Sequence, residues 1–268
     1  MSGLRQRVLT AIVLATALLV VLLALPSVVT TFFVVLIVTC GAWEWSAFLY
    51  SERRRPRLAY VVLVVLGLYA TWQYSSSPDA FTLLLEVAAV WWIVALGWIM
   101  LAPSQGGSVV SAIAGLLVLV PAGVALIRLR IEDNGAWLLL FSLFVIMAAD
   151  VGAYFAGHRF GRTKLAPKVS PGKSWEGVIA GIIASIIVAI IGASLLDWPV
   201  VPVMGLAASA AAFSVVGDLM ESLMKRRSGL KDSGQLFPGH GGVLDRFDSL
   251  SAGIPIFVLG LTKTGALA

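Results

Sequence analysis

Nine apolar runs, most of them close to the length of a membrane crossing, govern what this chain can fold into. They cover residues 8–25, 28–49, 58–74, 80–101, 108–127, 135–156, 175–196, 200–223 and 249–262, the last being the shortest. A bilayer core takes roughly 20 residues of helix. Hydrophobic residues make up 59% of the 268 and charged residues 12%, against roughly 45–50% and about 25% in soluble domains. A water-soluble globule is excluded, as are a disordered chain and, with Cys40 the single cysteine, a disulfide scaffold. Backbone polar groups in hydrocarbon must be paired internally, so each run is expected to be helical. No alternating barrel pattern is present. The fold expected is all-α, a polytopic membrane protein of about nine transmembrane helices, with residues 1–268 forming one domain. Spans 8–127 are expected to be mainly scaffold and 135–262 to carry the chemistry.

Turn residues separate the runs: Pro26-Ser27, the Arg53 to Pro56 cluster, Ser75 to Pro78, Pro103 to Gly107, Asn134-Gly135 and Asp197 to Pro199. The first run follows Arg5 and Arg7 as a signal peptide does, but it is longer than the usual apolar core and a second span follows at once. Threading the chain back and forth puts the N-terminus, 50–57, 102–107, 157–174 and 224–248 on one face. Every Lys and Arg except Arg128, Arg130 and Lys263 lies there, which identifies that face as cytoplasmic. Glu132 and Asp133 lie next to the two exceptional arginines.

Chemistry is expected in the second half. Segments 157–174 and 224–248 are the longest connections on the basic face and are rich in glycine, and long loops tend to carry function. Their bases alone are explained by orientation and attraction to anionic headgroups. Acids at or inside the adjoining runs add more: Asp150 before the first loop, Asp218 and Glu221 before the second. A carboxylate at the bilayer centre costs roughly 2.5–3.5 kcal/mol on insertion scales, so such groups face a polar cavity or an ion-pair partner. Asp218 and Glu221, three apart, share a helix face. The small residues 205–212 allow close packing. The segment 222–248 then combines Lys225, Arg226, Arg227 and Lys231, a turn from Pro238 through His240, Gly241 and Gly242, and Asp245 and Asp248 around Arg246. Glycine amides, bases and paired carboxylates suit a polyphosphate with Mg²⁺.

The residue order from Ser222 to Asp248 resembles the signature of the CDP-diacylglycerol synthases (phosphatidate cytidylyltransferases) of bacterial type. That signature runs Ser-x-apolar-Lys-Arg, four residues, Lys-Asp-x-small, two residues, apolar, Pro or Gly, x, His-Gly-Gly-apolar-x-Asp-Arg-apolar-Asp, and every specified position is met. Asp150 to Gly161 and the run Ser170 to Gly177 are similar to further blocks of that family, with Gly172 standing where a basic residue is common. The match covers roughly 150–250.

The resemblance implies a nucleotidyltransferase that joins CTP to phosphatidate, giving CDP-diacylglycerol and pyrophosphate for phospholipid biosynthesis. It implies Mg²⁺ with room for a second cation, and a place in the bacterial cytoplasmic (inner) membrane; the threading and the distribution of bases above put the N-terminus on the cytoplasmic side and the C-terminus outside. Asp218, Asp245, Asp248 and Glu221 are the expected metal ligands. Lys225, Arg226, Lys231 and His240 join the three aspartates as expected catalytic groups. Asp150, Ser170, Lys173, Ser174, Glu176, Ser222, Asp232, Gly241, Gly242 and Arg246 are expected to bind substrate. CTP, phosphatidate and membrane lipids are the expected partners, with a homodimer allowed and no nucleic acid. Two histidines and one cysteine cannot build a four-ligand zinc set without carboxylates. Gly172-Lys173-Ser174 lacks the first glycine of a P-loop, since position 167 is proline. The tryptophans read as interface anchors and core fillers, and Glu44 and Glu86 as acids each paired with a base on another helix. A transporter also uses intramembrane acids, and other lipid-phosphate transferases use acid pairs with Mg²⁺. The long signature favours the cytidylyl reaction.

Overall fold

The structure, a computed structural model, describes residue 16 and residues 18–50, 54–234 and 241–264. A short helical stretch at 18–23 leads into α1 (Ser27–Tyr50), α2 (Arg54–Tyr74), α3 (Pro78–Leu101), α4 (Ser108–Ile131), α5 (Gly135–Phe160), α6 (Trp175–Leu195), α7 (Val200–Arg227) and α8 (Leu244–Lys263). Between α5 and α6 a two-stranded antiparallel hairpin forms from β1 (Lys164–Ala166) and β2 (Ser170–Ser174). Helices α1 to α7 are each long and apolar enough to cross a membrane. The chain is an all-α polytopic membrane protein. Of the expected first span 8–25, residues 8–15 and 17 lie outside the described residues, as do Arg5, Arg7 and Arg53.

The helices outrun the apolar runs where their last turns are basic. α4 continues through Arg128 and Arg130, α5 through His158 and Arg159, and α7 through Lys225, Arg226 and Arg227. Cations oppose the negative end of the helix dipole, so they extend a helix that hydropathy alone would stop. The two arginines on the sparsely basic face are both occupied by the protein. Arg128 pairs with Glu132 at 2.8 Å. Arg130 donates to the carbonyls of Leu22 and Leu25 and to Thr30 Oγ1, closing the end of the 18–23 stretch.

Helix α8, expected as the short span 249–262, begins earlier, at Leu244, and sits at the centre. It packs chiefly on α7, and also against α4, α3, α5 and α1. Residues Ser251 to Val258 are all buried. It is not among the seven apolar helices because Asp245, Arg246 and Asp248 crowd its start. Protein, not lipid, surrounds it, so it needs less hydrophobicity than an outer span.

Helices α5 and α6 form the tightest outer pair. The buried residues of α6 are Gly177, Gly181, Ser185, Ala189 and Ala193, one small residue every fourth position. Ile179, Ile183 and Ile187 face outward. A side chain at Gly181 would meet the Ala149 carbonyl at 2.6 Å, and one at Gly152 would meet Ala184 Cβ at 2.8 Å. Ser185 Oγ crosses the seam to the Val145 carbonyl at 2.9 Å. Among lipid tails, close van der Waals approach of this kind is what drives helices together. Gly181→Val should cost about 1–3 kcal/mol of overpacking and lower the thermal midpoint in detergent by several degrees. Ile183→Val on the outer face should leave that midpoint unchanged.

Candidate active site

Ser174 ends β2 and caps α6, its hydroxyl accepting from the Gly177 amide at 3.2 Å. Two residues on, the Glu176 carboxylate accepts from the Thr163 amide at 3.0 and 3.2 Å, fixing the chain that enters the hairpin. Leu165, Ala166 and Val169 are buried beneath the hairpin, while Lys164 and Lys168 point outward. β2 thus delivers Ser170 and Lys173 to the mouth of a cavity of about 540 Å³.

The cavity gathers residues from five elements: Asp150, Tyr154 and His158 of α5; Ser170, Lys173 and Ser174 of β2; Gly177 and Val178 of α6; Asp218 of α7; and Asp245, Asp248 and Ser249 of α8. Asp150 stands ten residues before the end of α5 and Asp218 nine before the end of α7, about 15 Å back along each helix. Four carboxylates and one lysine line it among the described residues.

Each acid is held. Asp218 Oδ2 pairs with Lys173 Nζ at 2.6 Å, and its Oδ1 accepts from Ser222 Oγ at 3.3 Å. Asp150 Oδ1 accepts from Ser249 Oγ at 3.1 Å, and Asp248 Oδ1 from the Ser249 amide at 2.8 Å. Asp245 is the most fully bound: Oδ1 takes Lys225 Nζ at 2.7 Å, and Oδ2 takes the Gly242 amide at 2.8 Å and the amide and hydroxyl of Ser233 at 3.0 and 2.9 Å. Gly241 has φ +80, and a Cβ there would stand 2.5 Å from Asp245 Oδ2, so this turn takes glycine for both reasons.

Not all the residues expected at the site reach the cavity. Glu221 is buried at 2% exposure on the far side of Lys225, whose ammonium it meets at 3.1 Å. It lines a small pocket with Trp45, Val118, Phe247 and Asp248, and of this pair of acids only Asp248 also lines the larger cavity. Lys225 lies between Glu221 and Asp245 and is itself outside the lining. Arg226 is exposed and reaches the Val169 carbonyl at 3.4 Å, and Lys231, Asp232 and Arg246 are exposed. Glu176 braces the hairpin. His240 lies outside the described residues.

Of the two acids expected to pair with bases, Glu86 does, with Lys263 at 2.5 Å. Glu44 does not. This buried carboxylate of α1 accepts from the amides of Val243 and Leu244 at 3.0 and 2.8 Å and from Ser233 Oγ at 3.0 Å. Backbone amides satisfy a buried carboxylate as well as a base does. The clue in the sequence was a lone acid in the apolar run 28–49.

Comparison with known proteins places this arrangement. The sequence model described as the cytidylyltransferase family matches residues 5–262. A phosphatidate cytidylyltransferase of Pseudomonas aeruginosa is 41% identical over 270 aligned positions, covering 98% of each chain. One from Haemophilus influenzae is 38% identical over 281, covering 95% of this chain and 97% of the other. A chloroplastic phosphatidate cytidylyltransferase of Arabidopsis thaliana is 45% identical over 113 residues, 41% of this chain and 28% of that one. The acid-lined cavity is thus part of a nucleotidyltransferase, and the chain belongs to the cytidylyltransferase family.

Proposed function

We propose that the protein is a phosphatidate cytidylyltransferase, converting CTP and phosphatidate to CDP-diacylglycerol and pyrophosphate at the cytoplasmic face of the bacterial inner membrane. The carrying observation is that Asp150, Asp218, Asp245, Asp248 and Lys173 line one cavity at one end of the bundle. A lipid phosphate that stays in the membrane and a nucleotide that arrives from water can meet in such a place. The names of the near-full-length relatives support the same substrates.

A phosphate oxygen of phosphatidate attacks the α-phosphorus of CTP, forming the new phosphoanhydride as the bond to the β-phosphate oxygen breaks and pyrophosphate departs. No covalent enzyme intermediate is required, and positioning with charge neutralisation dominates the catalysis. Lys173 lines the cavity and is 22% exposed, placed to neutralise a phosphate. Ser170 and Ser174 stand beside it. Lys225 holds Asp245 from behind.

The donor set suits a hard divalent cation. Among the described residues no three acids, histidines or cysteines converge on one point. Mg²⁺ is held in that manner by one or two carboxylates while substrate phosphates complete its shell. Asp218 and Asp245 are the residues to hold it, with Asp248 beside them. When bound, it supplies neutralisation of the phosphate charge.

Purified protein in detergent should form CDP-diacylglycerol from CTP and phosphatidate only with a divalent cation added. Asp218→Asn and Asp245→Asn should each reduce turnover by on the order of 10²-fold or more while the protein still inserts and purifies. Product formation unaffected by either change would remove that residue from the site. For orientation, a reporter inserted between 228 and 234 should be cytoplasmic and one at the C-terminus external. Both on one face would contradict the arrangement.

A further inference from the structure

Glu44 stands on α1, in the half of the chain that otherwise serves as scaffold, yet its carboxylate touches both arms of the segment between α7 and α8. One arm is Ser233-Gly234 and the other Gly242 to Leu244. Ser233 Oγ meets Glu44 Oε2 at 3.0 Å and Asp245 Oδ2 at 2.9 Å, so one hydroxyl lies between the two carboxylates and its single proton is shared by them. The Val243 and Leu244 amides, which head α8, donate to Glu44 Oε1 and Oε2. Those amides belong to the first turn, where no intrahelical acceptor exists. The side chain that fills the capping role therefore comes from another helix. Gly234 and Gly242 are both pressed on the Glu44 carboxylate, with Glu44 Cδ 2.7 Å from where a Cβ of Gly234 would be. A side chain at either position would displace the Glu44 carboxylate.

We infer that Glu44 is a positioning residue for the cytidylyl transfer: it clamps the two arms together and so sets where the Asp245 carboxylate points. This rests on the reaction proposed above. Without the clamp, the Ser233 hydroxyl loses one of its two partners and the α8 amides lose their acceptor. Asp245 then keeps Lys225 but not a fixed direction for Oδ2. The consequence is specific. Binding of the lipid is left alone, while the geometry offered to a cation changes.

The test compares wild type with Glu44→Gln, which preserves shape but replaces one acceptor oxygen by a donor. Hydrogen–deuterium exchange on the metal-free protein should show peptides covering 241–245 exchanging at least tenfold faster, with α4 and α6 unchanged. In the CTP and phosphatidate assay, the Mg²⁺ concentration for half-maximal rate should rise at least fivefold and kcat fall, with KM for phosphatidate within twofold. Unchanged exchange together with an unchanged Mg²⁺ midpoint would overturn the inference, and so would a loss of protection spread evenly over the bundle. Should Glu44→Gln not purify as a monodisperse protein, Ser233→Ala removes only the linking hydroxyl. It should raise the Mg²⁺ midpoint by itself, and an unchanged midpoint there counts equally against the clamp. If wild type makes no CDP-diacylglycerol at all, the reaction is wrong, and the exchange measurement still decides whether Glu44 holds the loop.

Discussion

Carboxylates inside a membrane bundle are tolerated only where something compensates their charge, and in this protein that requirement organises the end of the bundle where the cavity lies. Five acids, Asp150, Asp218, Glu221, Asp245 and Asp248, fall within helices that are otherwise largely apolar. Each finds a partner. Lys173 reaches Asp218 from the hairpin, Lys225 serves Glu221 and Asp245 together, and serines or backbone amides serve the others. The penalty for an uncompensated buried charge is several kcal/mol. The hairpin, the basic last turn of α7 and the glycine arms are therefore as much a condition of folding as of chemistry.

That dependence links the two halves of the chain. The C-terminal half contributes the acids, their lysines and the cavity walls, and α8 carries two of the acids through the centre. The N-terminal half encloses α8 and supplies Glu44, whose acceptors fix the point where α8 begins. Small residues let the outer pair α5 and α6 close against each other, which holds Asp150 and the root of the hairpin in register with α7 and α8. Ser174 and Ser185 show how local this is: one caps a helix next to the cavity, and the other crosses the seam below it.

The spans were legible because a run of apolar residues near 20 long has few alternatives, and the structure starts or ends most of them within a few residues of the expected limits. The errors cluster where charge meets helix: the basic last turns of α5 and α7, and the start of α8 at Leu244 rather than 249. Hydropathy stops at the first charge, whereas a helix with cations at its C-terminus does not. The hairpin was not legible, since Ser170 to Ser174 contains Pro171 and Gly172, residues that weaken a strand. Asp218, Asp245, Asp248 and Lys173, read from the second half of the chain as candidates, line one cavity, but spacing could not separate Asp218 from Glu221. Three residues leave a difference of about 60° around the helix, enough in a crowded bundle to turn one to the cavity and the other to the core. Glu44 was visible as an anomaly only, because Leu244, one of its partners, is 200 residues downstream.

The proposed reaction calls for a single cation-binding place shared by the carboxylates of Asp218 and Asp245. Electron paramagnetic resonance of Mn²⁺ titrated into the purified protein with CTP present addresses it directly. One bound Mn²⁺ signal should be weakened by Asp218→Asn and by Asp245→Asn to a similar degree, and combining them should add little, as expected for ligands of one ion. Two bound populations, each removed by only one substitution, would contradict it.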